Sequence, residues 1–415
     1  MYKFFFTFII LASILDYRIF GLNYWDEILV VFVPLYYILD SKKISIKKSK
    51  LNIWGTLISL LIIGLVSNIL HPEFQSSNIA ILKDIVAIIK FPILILVLMK
   101  YRISSQQNKI SHDAALISKL LLYIMFVTAI VGYFIDIGVY QDEIRLVKCY
   151  KFFFSHPTFL VSSLIMMTSI LMADGVKRNK KELLVAGVLI LLTGRTKGYI
   201  MIVLLIFIIL KLYIFYNAFD RFSGNLKLKK RYFVLGLLCV GIVGYVLGKA
   251  KVIEYMGWGL TAARPALYIV GFDLLKDCFP FGAGFGTFAS SISGVHYSNV
   301  YNLYHIAGVN GLIQGNTNYI ADTFPPYIYG QFGIIGALAY LLLLMKIIRY
   351  QFKRIHSYDK MLGFFYLWIY VFVACSAEAF LTNASAAQLA IVLSVYIGCD
   401  FYKQTSMECN LGRKS

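Results

Sequence analysis

Glu182-Leu183-Leu184-Val185-Ala186-Gly187-Val188-Leu189-Ile190-Leu191-Leu192-Thr193-Gly194-Arg195-Thr196-Lys197-Gly198-Tyr199-Ile200-Met201-Ile202-Val203-Leu204-Leu205-Ile206 is a pair of apolar runs around a polar break. Whether it is one bent segment or two decides which way the chain runs on either side. A bilayer-crossing helix takes about 20 apolar residues. The spans at 182–194 and 198–216 are short, with the break from Gly194 to Gly198 as their turn. The flanking charges choose between the readings. Lys177, Arg178, Lys180 and Lys181 precede the pair, and Arg221, Lys227, Lys229, Lys230 and Arg231 follow it. Lys and Arg are retained on the cytoplasmic side of a membrane, so both clusters share a face only when the chain crosses twice.

Apolar runs of this kind recur along the whole chain. Of its 415 residues 59% are hydrophobic, far above what a soluble domain carries. Alternating strand patterns are absent, and helices are then the way to satisfy backbone polar groups in lipid. The pattern predicts an all-α fold: a polytopic membrane helical bundle of about 12 transmembrane helices in one membrane domain, 1–415. The spans fall near 3–17, 25–39, 51–70, 80–99, 119–137, 153–173, 182–194, 198–216, 232–249, 327–348, 361–379 and 385–402. Lys3 and the run from Phe4 to Leu15 resemble the start of a signal peptide, but Asp16, Tyr17 and Arg18 follow in place of a cleavage site. The expectation is an uncleaved first helix.

With both termini cytoplasmic, every inner loop is basic. They hold Lys42 to Lys50, Lys100 to Lys119, the two clusters named above, and Lys346, Arg349, Lys353, Arg354 and Lys360; the tail adds Lys403, Arg413 and Lys414. The outer loops 71–79 and 377–384 hold no Lys or Arg. The formal net charge of +19 is therefore topological, and nucleic acid is excluded as a partner. Six cysteines are scattered without a C-x-x-C pair, so no metal framework is legible. Cys149 and Cys278 both fall outside, which leaves a disulfide between them open.

The longest non-spanning stretch, 250–326, is the expected long outer loop, rich in Gly, Asn, Tyr and Ser; loops of this length are commonly functional. Arg195 and Lys197 sit at an outer mouth, against the positive-inside trend. They either anchor headgroups or form an anion site, for which Arg offers a planar fork. Arg264 precedes Pro265 and an amphipathic pattern over 265–276. It would stand at a helix N-terminus, where anions are favoured, or be a solvated loop arginine. Pro280 to Gly286 is a Gly-rich turn with no preceding strand. It suits close passage of backbone against another segment or a sugar rather than a nucleotide. Asp322, before a span, can serve as a general base or cap a helix. His296 and His305 are alternative bases. Lys90 and Glu378 are candidate interior polar sites within spans, whereas Lys83 and Asp84 lie nearer an outer end, where interfacial placement suffices. No acidic or His cluster has metal-ligand spacing.

In order and layout these segments resemble the O-antigen polymerases and, more distantly, the O-antigen ligases of bacterial surface polysaccharide assembly. Leu192-Thr193-Gly194-Arg195-Thr196 is similar to the short arginine motif between two central helices. Arg264 and Tyr268, then Phe279 to Phe288, resemble the start of the family's long periplasmic loop. Asp322 to Tyr327, then Tyr329-Gly330-Gln331-Phe332-Gly333-Ile334-Ile335-Gly336, resemble its return to the membrane. Where ligases usually carry a histidine base this chain has Asp322, which favours the polymerase side. Tyr268 stands where Trp is more usual.

The resemblance implies glycosyl transfer between undecaprenyl-diphosphate-linked oligosaccharides at the periplasmic face of the bacterial inner membrane, with lipid diphosphate leaving and no cofactor. It implies catalytic roles for Asp322, Arg195 and Arg264. Substrate contacts would come from Lys197, Arg145, Tyr327, Gln331, His296 and His305, and the partners would be membrane lipid and a chain-length regulator protein. The rivals are a ligase that moves glycan to lipid A core and a lipid-linked oligosaccharide flippase. A purely structural membrane protein leaves Arg195 unexplained.

Overall fold

The computed structural model describes residues 25–40, 48–98, 107–144, 147–222, 253–254, 257–355 and 357–396. The expected spans at 3–17 and 232–249, the uncleaved first helix, the basic tail and Arg145 lie outside these residues. The described chain is mostly helical: α1 Trp25–Asp40, α2 Lys48–Leu70, α3 Asn78–Leu98, α4 Gln107–Phe134, α5 Pro157–Gly175, α6 Lys180–Leu192, α7 Thr196–Phe222, α8 Ala263–Asp277, α9 Pro325–Phe352, α10 Tyr358–Cys375 and α11 Ala384–Ile391. One departure from the all-α expectation is a small antiparallel hairpin, β1 Tyr140–Ile144 and β2 Val147–Tyr150, in which Tyr140 pairs with Tyr150. Its residues show little alternation, so period-2 patterning does not reveal it.

Among the described residues, five segments are long and apolar enough to cross a membrane: Asn52–Leu70, His112–Phe134, Pro157–Gly175, Pro325–Phe352 and Tyr358–Cys375. The pair 182–216 is two helices, as the flanking charges require, and α6 with its 13 residues reaches only ~20 Å. Helix α3 is long enough but carries Lys83, Asp84 and Lys90 among its apolar residues.

Burial separates central from peripheral helices. The Pro157–Gly175 segment is 78% buried, whereas Asn52–Leu70 and His112–Phe134 are each 33% buried. On α2, Ile58, Ile62, Leu65 and Ile69 are exposed at helical spacing; so broad an apolar stripe is at home against lipid and a liability in water. Helix α5 packs against α10 and α4, α9 against α2 and α8, and α3 against α1 and α11.

Polar contacts sort the bundle into two ends. At one end His112 meets Asp174 at 3.1 Å and Lys119 meets Glu182 at 3.7 Å. There too the Val176 N–H donates to Asp359, and Lys346 donates to Asn52 and Thr56. These contacts join the described parts of the basic loops to one another. The break at Gly194, the return at Asp322 and the turn after α10 gather away from them.

The Gly-rich turn is threaded into the bundle. Ala283 and Gly284 donate to the carbonyls of Gly330 and Gln331 at 2.9 and 2.8 Å, and Phe285 N–H donates to Asn68 Oδ1 at 2.9 Å. Helix α9 is interrupted at Gly333 (φ 63°, ψ −165°). A Cβ there would overlap the Phe281 carbonyl, so only glycine meets both the backbone and the contact requirement. The expected close passage is therefore against protein backbone.

One open question is answered and one sequence expectation needs correction. Cys149 and Cys278 are both buried and form no disulfide with each other; Cys149 packs beneath Gly194, and Cys278 ends α8. Asp84 is not interfacial but fully buried. It accepts from Gly286 N–H at 2.8 Å, and the Tyr327 hydroxyl donates to it at 3.4 Å. The turn at 280–286 gave no local sign of this partner, because the anchoring carboxylate lies about 200 residues earlier on α3.

Candidate functional site

The site assembles from four short segments. The first is the break between α6 and α7. Thr193 ends α6 with its hydroxyl on the Ile190 carbonyl, and Gly194 takes a left-handed φ of 69° over the Cys149 sulfur. Arg195 then starts the next helix, its carbonyl accepting from Gly198 and Tyr199 N–H. Arg195 Nη2 donates to His156 Nε2 at 2.9 Å, while its Nε is buried with no protein partner. His156 precedes Pro157 at the start of α5. Burial first, and then the neighbouring Arg195 and Lys197, push its imidazole down to about 4, so it is neutral at pH 7. A neutral ring has one acceptor nitrogen. The Thr158 N–H at 3.3 Å competes with Arg195 for that role and is the longer contact.

Lys197, the second residue of α7, forms the second element with Glu378. Lys197 Nζ lies 2.5 Å from Glu378 Oε1, with the two side chains only 10% and 14% exposed. Glu378 is in the turn after α10 rather than inside a span. Lys197 also stands over the buried Tyr370 ring at 5.6 Å, and Tyr370 meets Ser162 of α5 at 2.7 Å. Helices α5, α7 and α10 are thereby fixed at one level.

The third and fourth elements are Arg264 and Asp322. Arg264 occupies the first turn of α8, followed by Pro265 as expected from the sequence. Its Nη2 lies 3.0 Å from Asp322 Oδ2, with side chains 40% and 30% exposed. Asp322 belongs to the segment entering α9. That segment is stitched to the Glu378 turn by Ala379 N–H to the Ala321 carbonyl at 3.1 Å and Phe324 N–H to the Cys375 carbonyl at 3.3 Å.

The two ion pairs are therefore neighbours, and Glu378 feels both Asp322 and Arg264. Burial raises the Glu378 carboxyl above its ordinary range against the opposing pull of Lys197. Burial raises that of Asp322 against the pull of Arg264. Three cations, Arg195, Lys197 and Arg264, face two carboxylates, so the cluster carries excess positive charge.

The other candidates lie elsewhere. Tyr327 and Gln331 are fully buried. Tyr327 reaches Asp84, and Gln331 Nε2 donates to the Phe288 carbonyl at 2.7 Å, so both hold the Gly-rich turn. His296 pairs with Lys83 at 3.2 Å, and His305 is exposed with φ 56°. Lys90 is buried in an ion pair with Asp26; Glu27 lies at 3.2 Å from it and the Thr382 carbonyl at 3.4 Å. Sequence reasoning missed His156 as the partner of Arg195. His-Pro at a span entrance was its one local signal. Among the described residues no three His, Cys, Asp or Glu side chains gather as a metal-holding group.

No family model, no curated protein and no solved structure matches this chain.

Proposed function

We propose that the chain is a multi-pass bacterial inner-membrane glycosyltransferase. It would polymerise undecaprenyl-diphosphate-linked oligosaccharide repeat units into O-antigen or a related surface polysaccharide at the periplasmic face. This reading takes about twelve spans, cytoplasmic termini and a periplasmic 250–326. The observation that carries it is the part-exposed Arg264–Asp322 pair beside the Lys197–Glu378 pair, with Arg195 one residue short of α7.

Such a cluster suits transfer from a lipid diphosphate. The hydroxyl of the acceptor unit attacks the anomeric carbon of the donor glycan. The bond from that carbon to the diphosphate oxygen breaks, and the electron pair leaves with the diphosphate. Arg264, Arg195 and Lys197 stabilise the charge that develops there. Arg195 brings a buried, unpartnered Nε–H to this task, and the neutral His156 orients its guanidinium. The hydroxyl proton passes to a carboxylate. Asp322, at 30% exposure against 14% for Glu378, is the more accessible of the two.

The experiment replaces Arg195 or Arg264 with Ala in the native host and runs the surface polysaccharide on a gel. A polymerase collapses the ladder to core plus one unit, and a ligase loses every attached unit. A flippase leaves no unit on the outer face, so lipid-linked repeat units accumulate inside. An unchanged ladder with normal protein level removes these arginines from the mechanism.

A further inference from the structure

Two of the cations near Asp322, Lys197 and Arg264, are already engaged by carboxylates of the chain itself. Lys197 Nζ is 2.5 Å from Glu378, and Arg264 Nη2 is 3.0 Å from Asp322. A phosphate oxygen approaching either cation must take the place of a carboxylate oxygen, because both are acceptors of the same charge-assisted bonds.

We infer that Asp322 and Glu378 form a ligand-released carboxylate pair: a diphosphate takes over Arg264 and Lys197, and the displaced carboxylates become stronger proton acceptors. This rests on the diphosphate reading above and adds to it the regulation of the base.

The electrostatics of the surroundings fix the direction. Asp322 faces Arg264 from α8 and Glu378 from the turn after α10. Glu378 faces Lys197 from α7, Arg264, Asp322, and the Cys375 and Tyr370 side chains of α10. Beyond Lys197 stand Arg195, His156 and Lys151. In each carboxylate, burial favours the protonated form and the cation opposes it. Engaging the cation with phosphate weakens that opposition and adds negative charge nearby, and both changes raise proton affinity. Binding of a bare diphosphate near pH 6 therefore draws protons from solvent onto part of the displaced carboxylate population; with the acceptor present, ionised Asp322 takes the hydroxyl proton as the hydroxyl oxygen bonds to the anomeric carbon and the diphosphate leaves. Asp322 is therefore a stronger base only when the leaving group is in place.

The test uses the full chain in detergent with inorganic pyrophosphate as the probe. Titration calorimetry is run near pH 6 in two buffers of different ionisation enthalpy, which reads protons exchanged on binding. The native protein takes up protons relative to Asp322→Asn and Glu378→Gln, and this difference cancels the probe's own ionisation. Because Arg264 no longer has a carboxylate to release, Asp322→Asn binds pyrophosphate about three-fold more tightly, the equilibrium that a half-exposed ion pair is worth. Arg264→Ala loses the binding.

Equal proton exchange in native and variant proteins, or weaker binding in both variants, overturns the inference and leaves the diphosphate reading standing. Absence of pyrophosphate binding to the folded native protein overturns both. A purely structural ion pair predicts loss of affinity on substitution, opposite in sign to what is expected here.

Discussion

Replacing Lys197 with Met leaves Glu378 in a pocket where its side chain is 14% exposed with its nearest cation gone. Removing one partner of a fully buried pair costs about 3–5 kcal/mol. Residual exposure, and the freedom of Glu378 to take a proton instead of staying charged, reduce this to about 2 kcal/mol. The loss depends on pH. The Glu378 carboxyl already lies above its ordinary value of 4.5 with Lys197 present, and rises further without it. For a carboxyl raised on folding, the penalty is absent below the unfolded value and grows as pH rises towards the folded one. Lys197→Met should therefore unfold a few degrees below the native protein at pH 7 in detergent, followed by tryptophan fluorescence, and the gap should close towards pH 4.5. The double variant Lys197→Met, Glu378→Gln should recover most of the loss, since it removes the orphaned charge as well as its partner. The reasoning is refuted if the single variant matches the native protein at pH 7, or if the double variant is no better than the single one.

Asp84→Asn should unfold within about 1 kcal/mol of the native protein, since its amide oxygen still accepts from Gly286 N–H. Asp84→Leu, which orphans that donor and the Tyr327 hydroxyl, should lose about 2–4 kcal/mol. Equal loss in both would mean that the charge itself is required. Gly333→Ala, with a positive φ and the Phe281 carbonyl at its Cβ position, should give no folded protein by size-exclusion chromatography; a monodisperse peak of normal yield would contradict the described break in α9. The depressed His156 imidazole makes stability fall as pH drops from about 6.5 towards 4, because the unfolded chain binds the proton first. His156→Phe should flatten that part of the melting profile, and an unchanged slope would assign it to another group.

Much of this organisation is legible in the chain itself. Runs of apolar residues specify membrane helices because the period and length are local properties. The basic loops specify which helix ends lie together, and the contacts among His112, Asp174, Lys119, Glu182 and Asp359 join them at one end. Arg195 and Lys197 in a tight glycine-flanked break, and Arg264 before Pro265, announce themselves because each violates a local expectation for charge or begins a helix. What the sequence alone could not decide is who answers these charges. Glu378, His156, Asp84 and Asn68 lie tens to hundreds of residues from Lys197, Arg195, Gly286 and Phe285. Ion pairing and buried hydrogen bonds carry no sequence period, so those partners are chosen only when α5, α7 and α10 pack and the turn at 280–286 threads between α2, α3 and α9. The same packing sends Tyr327 and Gln331 inward and sets Asp322 beside Arg264.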